Sequence, residues 1–157
     1  MNQSTRFAML ISKKCQYALR AVFELAKRYC ENPLKIAGIA QAQAIPSRFL
    51  EVILCEMKKG GFVQSQRGNE GGYSLAVNPE ELTVGEVIRF IQGPMGPVSC
   101  LIENATESCP LLGECVFLPM WEKVQKTLSS IYDSTTFAEL VEQEKRTTMA
   151  YAPSYSI

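Results

Sequence analysis

Histidine is absent from all 157 residues. That absence excludes a His-ligated metal site and a catalytic triad built on an imidazole base. Long apolar runs are missing as well. No uninterrupted stretch reaches the roughly 20 residues that a membrane-spanning helix needs, and Met1 to Phe7 are polar, without the apolar centre of a secretory signal. The expected location is therefore the cytoplasm, with no membrane partner. No glycine-rich phosphate loop of the usual spacing and no paired acids in a pocket-like context occur, so an enzyme is not expected.

Net charge is also absent, but the zero conceals a division. Residues 1–69 carry eleven Lys and Arg against four acids, a net +7, and residues 70–157 carry five against twelve, a net −7. A basic front half is the footprint of a polyanionic partner, although segregation onto two solvated faces would give the same count. What the sequence does have is cysteine, six in all. Without an export signal a disulfide framework is not expected. Cys15, Cys30 and Cys55 are scattered, whereas Cys100, Cys109 and Cys115 fall close together.

The apolar spacing predicts the elements. Ser12 caps a helix running to about Cys30, with Ala18, Ala21, Val22, Leu25, Ala26 and Tyr29 on one stripe. Glu31-Asn32-Pro33 ends it, and a short helix spans Ile36 to Gln43. After the turn Ala44-Ile45-Pro46-Ser47, a third helix runs to about Lys59, with core positions Phe49, Leu50, Ile53, Leu54 and Met57, and Gly60-Gly61 stops it. Phe62–Gln66 and Tyr73–Ala76 read as strands joined by the glycine-rich turn Arg67–Gly72. Thr83 and Glu86 form a capping box for a helix to about Gln92. A proline- and glycine-bearing loop follows to Pro119, then a long helix from Met120 to Tyr132 and a short one from Phe137 to Glu144. The fold class is mainly α with a small β-hairpin. Helix, helix, helix, strand, turn, strand is the order of a winged helix-turn-helix.

In that architecture the second helix of the pair enters the major groove of double-stranded DNA. Its outward residues here are Pro46, Ser47, Arg48, Glu51, Val52 and Cys55. Arg48 can bond guanine or a phosphate, and Glu51 can accept from cytosine N4. A merely solvated helix face would carry similar residues. Arg67, at the head of the glycine turn, suits a narrow minor groove where negative potential is focused, and Gly68, Gly71 and Gly72 let the backbone turn and lie close to phosphates. The loop spacing Cys100-x8-Cys109-x5-Cys115 offers soft thiolate ligands for an iron–sulfur cluster or zinc. A redox-active thiol pair or idle cysteines fit the spacing as well.

The stretch Ser12-Lys13-Lys14-Cys15-Gln16-Tyr17-Ala18-Leu19-Arg20-Ala21, the pair Leu50-Glu51, the run Arg67-Gly68-Asn69-Glu70-Gly71-Gly72-Tyr73-Ser74-Leu75 and the run Leu82-Thr83-Val84-Gly85-Glu86-Val87-Ile88 resemble the Rrf-two family of bacterial winged-helix transcription regulators. The resemblance covers roughly residues 9–145. It implies a homodimer joined through the long C-terminal helix, and a palindromic operator. It also implies base-facing roles for Ser47, Arg48 and Glu51 and a minor-groove role for Arg67. Cys100, Cys109 and Cys115 match the ligands of the cluster-binding branch, so the implied cofactor is an iron–sulfur cluster. Some members use a histidine three residues after the third cysteine. Leu118 stands there, which favours a four-iron over a two-iron cluster. The carboxylate that some relatives supply from the first helix corresponds to Gln16, a poor ligand. Cys15 beside it is expected to be a buried helix residue, as are Cys30 and Cys55. Family members usually begin near Met9, so Met1 to Ala8 are expected to be disordered. The resulting division is a DNA-binding region at 1–92, a cysteine-bearing loop at 93–119, a dimerisation helix and last helix at 120–146, and a tail at 147–157. The alternative function is a cluster-free winged-helix regulator that senses oxidants by thiol chemistry at Cys100 or Cys109.

Overall fold

Small residues at helical spacing give the first helix, α1 (Lys13–Lys27), a flat face on which other elements can lie. Ser12 caps it, its hydroxyl accepting the Cys15 N–H at 3.1 Å. Cys15, Ala18, Ala21, Val22, Leu25 and Ala26 form its buried side. The computed structural model describes residues 11–102, 110–111 and 114–150. The disorder expected for Met1 to Ala8 therefore concerns residues outside the described ones. Among the described residues there are six α-helices, a single 3-10 turn and a two-stranded hairpin.

Helix α1 ends three residues before the expected Cys30. Its exit tightens: the Arg28 N–H donates to Leu25 and the Tyr29 N–H to Ala26, i→i−3 bonds that leave the α-helical path. Cys30 then reverses the chain at φ 67°. Tyr29, placed on the core stripe by periodicity, is consequently 39% exposed. Helix α2 (Ile36–Gln43) has the expected bounds. Ala44 turns the chain in the left-handed region at φ 48°, and helix α3 (Ser47–Lys59) follows, burying Leu50, Ile53, Leu54 and Met57. Phe49 is not a core residue as the pattern suggested; it is 61% exposed. At 100° per residue it lies to one side of the buried set, and its ring sits 6.4 Å from that of Tyr17 on α1.

Strands β1 (Val63–Gln66) and β2 (Gly72–Leu75) pair antiparallel, Val63 opposite Leu75 and Gln66 opposite Gly72. Helix α4 (Val84–Gln92) starts from the Thr83–Glu86 capping box and buries Val87, Ile88 and Ile91. After the 3-10 turn Ser99–Leu101, helix α5 (Leu118–Ser134) begins two residues earlier than expected. Pro119 lies in its first turn, where a missing N–H costs nothing. Helix α6 (Phe137–Ala150) runs past Glu144 and through the position where a patternless tail was expected to begin. Its anchor is Phe137, 1% exposed, a burial that stabilises by about 1.5–3 kcal/mol. Helix α6 packs back on α1, with Lys27 bridging to Glu144 at 3.1 Å. The C-terminal segment is thus part of the same core as the winged helix.

Cys15 is fully buried in that core. Burial penalises the thiolate and pushes its pKa from 9.0 up to about 11. Unfolding then releases a proton between these values, so the thiol's stabilising contribution is complete below pH 9 and lost as pH rises towards 11. In urea titrations from pH 8 to 10.5 the wild type is expected to lose about 1–2 kcal/mol more stability than Cys15→Ala does over the same range. Parallel losses would contradict the burial.

Candidate nucleic-acid interface and cysteine loop

Helix α3 is held from behind by its four buried side chains and from the sides by two polar ties. Lys14 on α1 pairs with Glu56 at 2.6 Å, and the Lys58 ammonium donates to the Ser65 hydroxyl on β1 at 2.5 Å. The turn that aims α3 is tied to α1 in turn. Gln43, the last residue of α2, donates from its side-chain amide to Glu24 at 2.8 Å, and its carbonyl accepts from Arg20. Glu24 is 6% exposed, a charge that burial would penalise without this amide and Lys27 at 3.5 Å. Sequence reasoning missed this network. Its signal, an acid at a core position of the α1 stripe, becomes visible only once the stripe's ends are known.

With α3 fixed in this way, Ser47, Arg48 and Glu51 face solvent, as does Arg67 between the two strands. Among the described residues none of these four makes an ion pair or a side-chain hydrogen bond. Their polar groups are free for an external ligand, and the structure presents them on the two elements that the sequence picked out.

Two glycines of the turn permit close approaches within the chain. Leu34, between α1 and α2, forms a β-bridge with Tyr73: each N–H donates to the other's carbonyl at 2.8 Å. This bridge ties the hairpin to the helices. A Cβ on Gly72 would collide with the Leu34 backbone, and one on Gly71 with the carbonyl of Gln66. Gly68 has φ 106°, a conformation that favours glycine. A glycine inside a strand pattern signals close backbone approach, but not which backbone approaches.

Of the three loop cysteines, Cys100 lies in the 3-10 turn and Cys115 just before α5, both free thiols of intermediate exposure. Cys109 is outside the described residues. The turn bearing Cys100 is anchored by buried Ile102 and by Gln125 on α5, whose amide donates to the Leu101 carbonyl at 3.1 Å. Cys115 is attached to the start of the same helix through its carbonyl, which accepts the Leu118 N–H at 3.1 Å. Among the described residues no three His, Cys, Asp or Glu side chains gather as a metal site. Cys15, buried and protonated, faces the core, and the Gln16 amide is engaged by the Ile11 carbonyl at 2.9 Å. Cys30 and Cys55, grouped with Cys15 as structural helix residues, are both exposed: Cys30 because it falls beyond the end of α1, and Cys55 because it lies on the side of α3 away from its buried set, in agreement with its outward place in the helix pattern.

Helix α5 buries none of its residues. Trp121, Val124 and Leu128 are half-exposed, and Ile131 is 54% exposed. Beside its C-terminal end lies an open apolar groove of about 420 Å³, lined by Leu19, Phe23, Val84, Ile131, Phe137 and Leu140 among others.

Comparison with known proteins decides the family. Residues 11–143 match the family model described as Rrf2, iron-dependent transcriptional regulator. The chain belongs to the Rrf2 family. The HTH-type transcriptional regulator CymR of Bacillus subtilis is 33% identical over 132 residues, covering 84% of this chain and 89% of that protein. Its solved structure superposes with a TM-score of 0.70 at 32% identity, over 85% of this chain and 97% of the other. The HTH-type transcriptional regulator IscR of Aliivibrio salmonicida is 30% identical, covering 85% of this chain and 77% of that protein. The structure of T. potens IscR superposes with a TM-score of 0.73 at 29% identity, over 93% and 94%. The six helices and the hairpin are therefore the winged-helix fold of Rrf2 regulators, and this Rrf2 protein is a DNA-binding transcription regulator, not an enzyme. No helix among the described residues is long and apolar enough to cross a membrane.

Proposed function

We propose that this regulator binds a palindromic operator as a homodimer, with Ser47, Arg48 and Glu51 at base edges in the major groove and Arg67 in the adjacent minor groove. An iron–sulfur cluster on the cysteine loop then changes its affinity for that operator. The observation that carries the DNA reading is the set of solvent-facing, unpaired polar groups on α3 and at the wing tip, in the half of the chain whose net charge is +7. Arg67→Ala is expected to weaken binding by about 1–3 kcal/mol, similarly across sequences. Glu51→Ala is expected to relax which bases are tolerated more than it alters overall affinity, because a carboxylate near phosphates earns its place by rejecting wrong bases. Fluorescence anisotropy on a panel of duplexes checks both. A uniform loss for Glu51→Ala, or none for Arg67→Ala at moderate salt, would sink the assignments.

The dimer rests on α5. A 17-residue helix with no fully buried residue leaves Trp121, Val124, Leu128 and Ile131 partly or largely exposed, and these need a cover. A second copy of α5 supplies an apolar surface of the same kind, and the pairing sets two recognition helices about one DNA turn, roughly 34 Å, apart. Sedimentation at micromolar concentration is expected to give a dimer, and Leu128→Glu a monomer. A monomeric wild type would contradict the proposal.

The residues that would hold the cluster are Cys100, Cys109 and Cys115. Cys100 and Cys115 fit that role in chemistry: both are free, partly shielded thiols attached to α5. The family description as iron-dependent supports iron in particular. Leu118 offers no lone pair and Cys15 is locked in the core, so a fourth position falls to water, a small thiol or the second subunit, as suits a four-iron cluster more than a two-iron one. The cluster, when bound, supplies a redox- and iron-responsive group between the DNA-binding unit and α5. The second reading is oxidant sensing by thiol chemistry at Cys100 or Cys109, supported by the free, partly exposed thiol of Cys100 and by the kinship to CymR, described as the global cysteine regulator of B. subtilis. Protein purified without oxygen is expected to be brown, with absorbance near 400 nm. The absorbance should be lost in Cys100→Ala, Cys109→Ala and Cys115→Ala and kept in Cys30→Ala and Cys55→Ala. A colourless protein that reconstitution with iron and sulfide leaves colourless would favour the thiol reading, and equal operator affinity with and without the cluster would remove its regulatory role.

A further inference from the structure

Two large apolar side chains stand in solvent on α3: Val52 at 62% exposure and Phe49 at 61%. At 100° per residue, Val52 points away from the buried set Leu50, Ile53, Leu54 and Met57. It shares the outermost line of the helix with Arg48 one turn before it and with Cys55 and Lys59 after it, while Phe49 flanks that line on the Tyr17 side. The centre of a solvated helix face is ordinarily polar. Here the centre is a branched hydrocarbon in a net positive surround, with Arg48 at the front of the helix, Lys58 and Lys59 at its end and the exposed acid Glu51 beside it. Whatever covers this face must be anionic at its edges and apolar at one point in its middle.

Duplex DNA has both properties. Its backbone is the polyanion. In the major groove, adenine, guanine and cytosine present donors, acceptors and bare C–H edges, whereas thymine alone presents a methyl group, at C5. Val52 has no polar atom with which to read any other feature of a base edge. We propose that Val52 is a specificity-determining residue that reads the C5-methyl of a thymine in each operator half-site, with Phe49 widening the apolar contact. This rests on the reading of α3 as the recognition helix and extends it. Arg48 and Glu51 address hydrogen-bonding edges, and Val52 between their turns addresses the one apolar edge.

The test uses the full-length protein, prepared without oxygen. Duplexes are selected from a random library, and each thymine of the best-bound duplex is replaced singly by deoxyuridine, which removes the methyl and leaves base pairing intact. One thymine per half-site is expected to give about three- to tenfold weaker binding on replacement. Val52→Ala is expected to bind the thymine and deoxyuridine duplexes equally, and Val52→Thr, which keeps one methyl, to retain part of the difference. Indifference of the wild type to every replacement would overturn the proposal and leave the apolar centre to a protein partner. A selected duplex without thymine in its half-sites would overturn it too, as would a methyl preference undiminished in Val52→Ala. Arg48→Ala and Glu51→Ala, measured on base-pair variants of the selected duplex, separate the two levels. If neither changes base preference, α3 is not the reader and both readings fall. If either does while deoxyuridine has no effect, only the assignment of Val52 falls.

Discussion

Helix α1 touches α2, α3, α4, α6 and β2, and it can do so because its buried face is made of small side chains. Cys15, Ala18, Ala21 and Ala26 carry almost no bulk beyond Cβ, so neighbouring helices approach closely, and Val22 and Leu25 fill the gaps between them. A larger residue at any of these positions would push out several elements at once. Helix α3, the helix that precedes the cysteine loop and the C-terminal helix are all referred to one rigid axis. The buried Glu24 adds a polar pin to that axis, holding the end of α2 through Gln43 and reaching α6 through Lys27 and Glu144.

The hairpin depends on a different constraint. A two-stranded ribbon alone is marginal in water, and this one is stabilised by the Leu34–Tyr73 bridge on one side and by the tie from Lys58 to Ser65 on the other. The bridge requires Gly72, since any side chain there would occupy the Leu34 backbone. Arg67 thus extends from a platform anchored to two helical segments, which limits where its guanidinium can travel. Position matters more than charge for such a group, because an exposed cation on a loose loop loses in entropy much of what it gains in electrostatics.

Much of this was legible beforehand, for reasons that differ from element to element. The capping box at Thr83 and Glu86, the bounds of α2 and the start of α3 follow from side chains acting within a few residues of themselves, and these agree with the structure. The end of α1, the start of α5 and the length of α6 differ from the sequence expectation by two to six residues. Prolines and mixed-polarity residues at those ends allow either outcome, and packing chooses. Ser47, Arg48 and Glu51 are legible as outward-facing because the buried residues of α3 repeat with a clear period, and Arg67 because it heads the glycine turn.

The sequence by itself determined the local directions of the chain, the separation of charge between its halves, the cysteine spacing and the winged-helix order, since each is encoded by neighbours along the chain. Tertiary structure alone decided which apolar residues are covered. Phe137 is sealed and Phe49 left bare, although both sit at plausible core positions in an amphipathic pattern. It also decided that Cys15 is locked as a thiol while Cys100 and Cys115 stay accessible, and that Gly72 answers to Leu34. Periodicity reports the side of a helix or strand on which a residue lies. Whether another element comes to lie there depends on contacts between segments far apart in the chain, and those are settled only when the whole core packs.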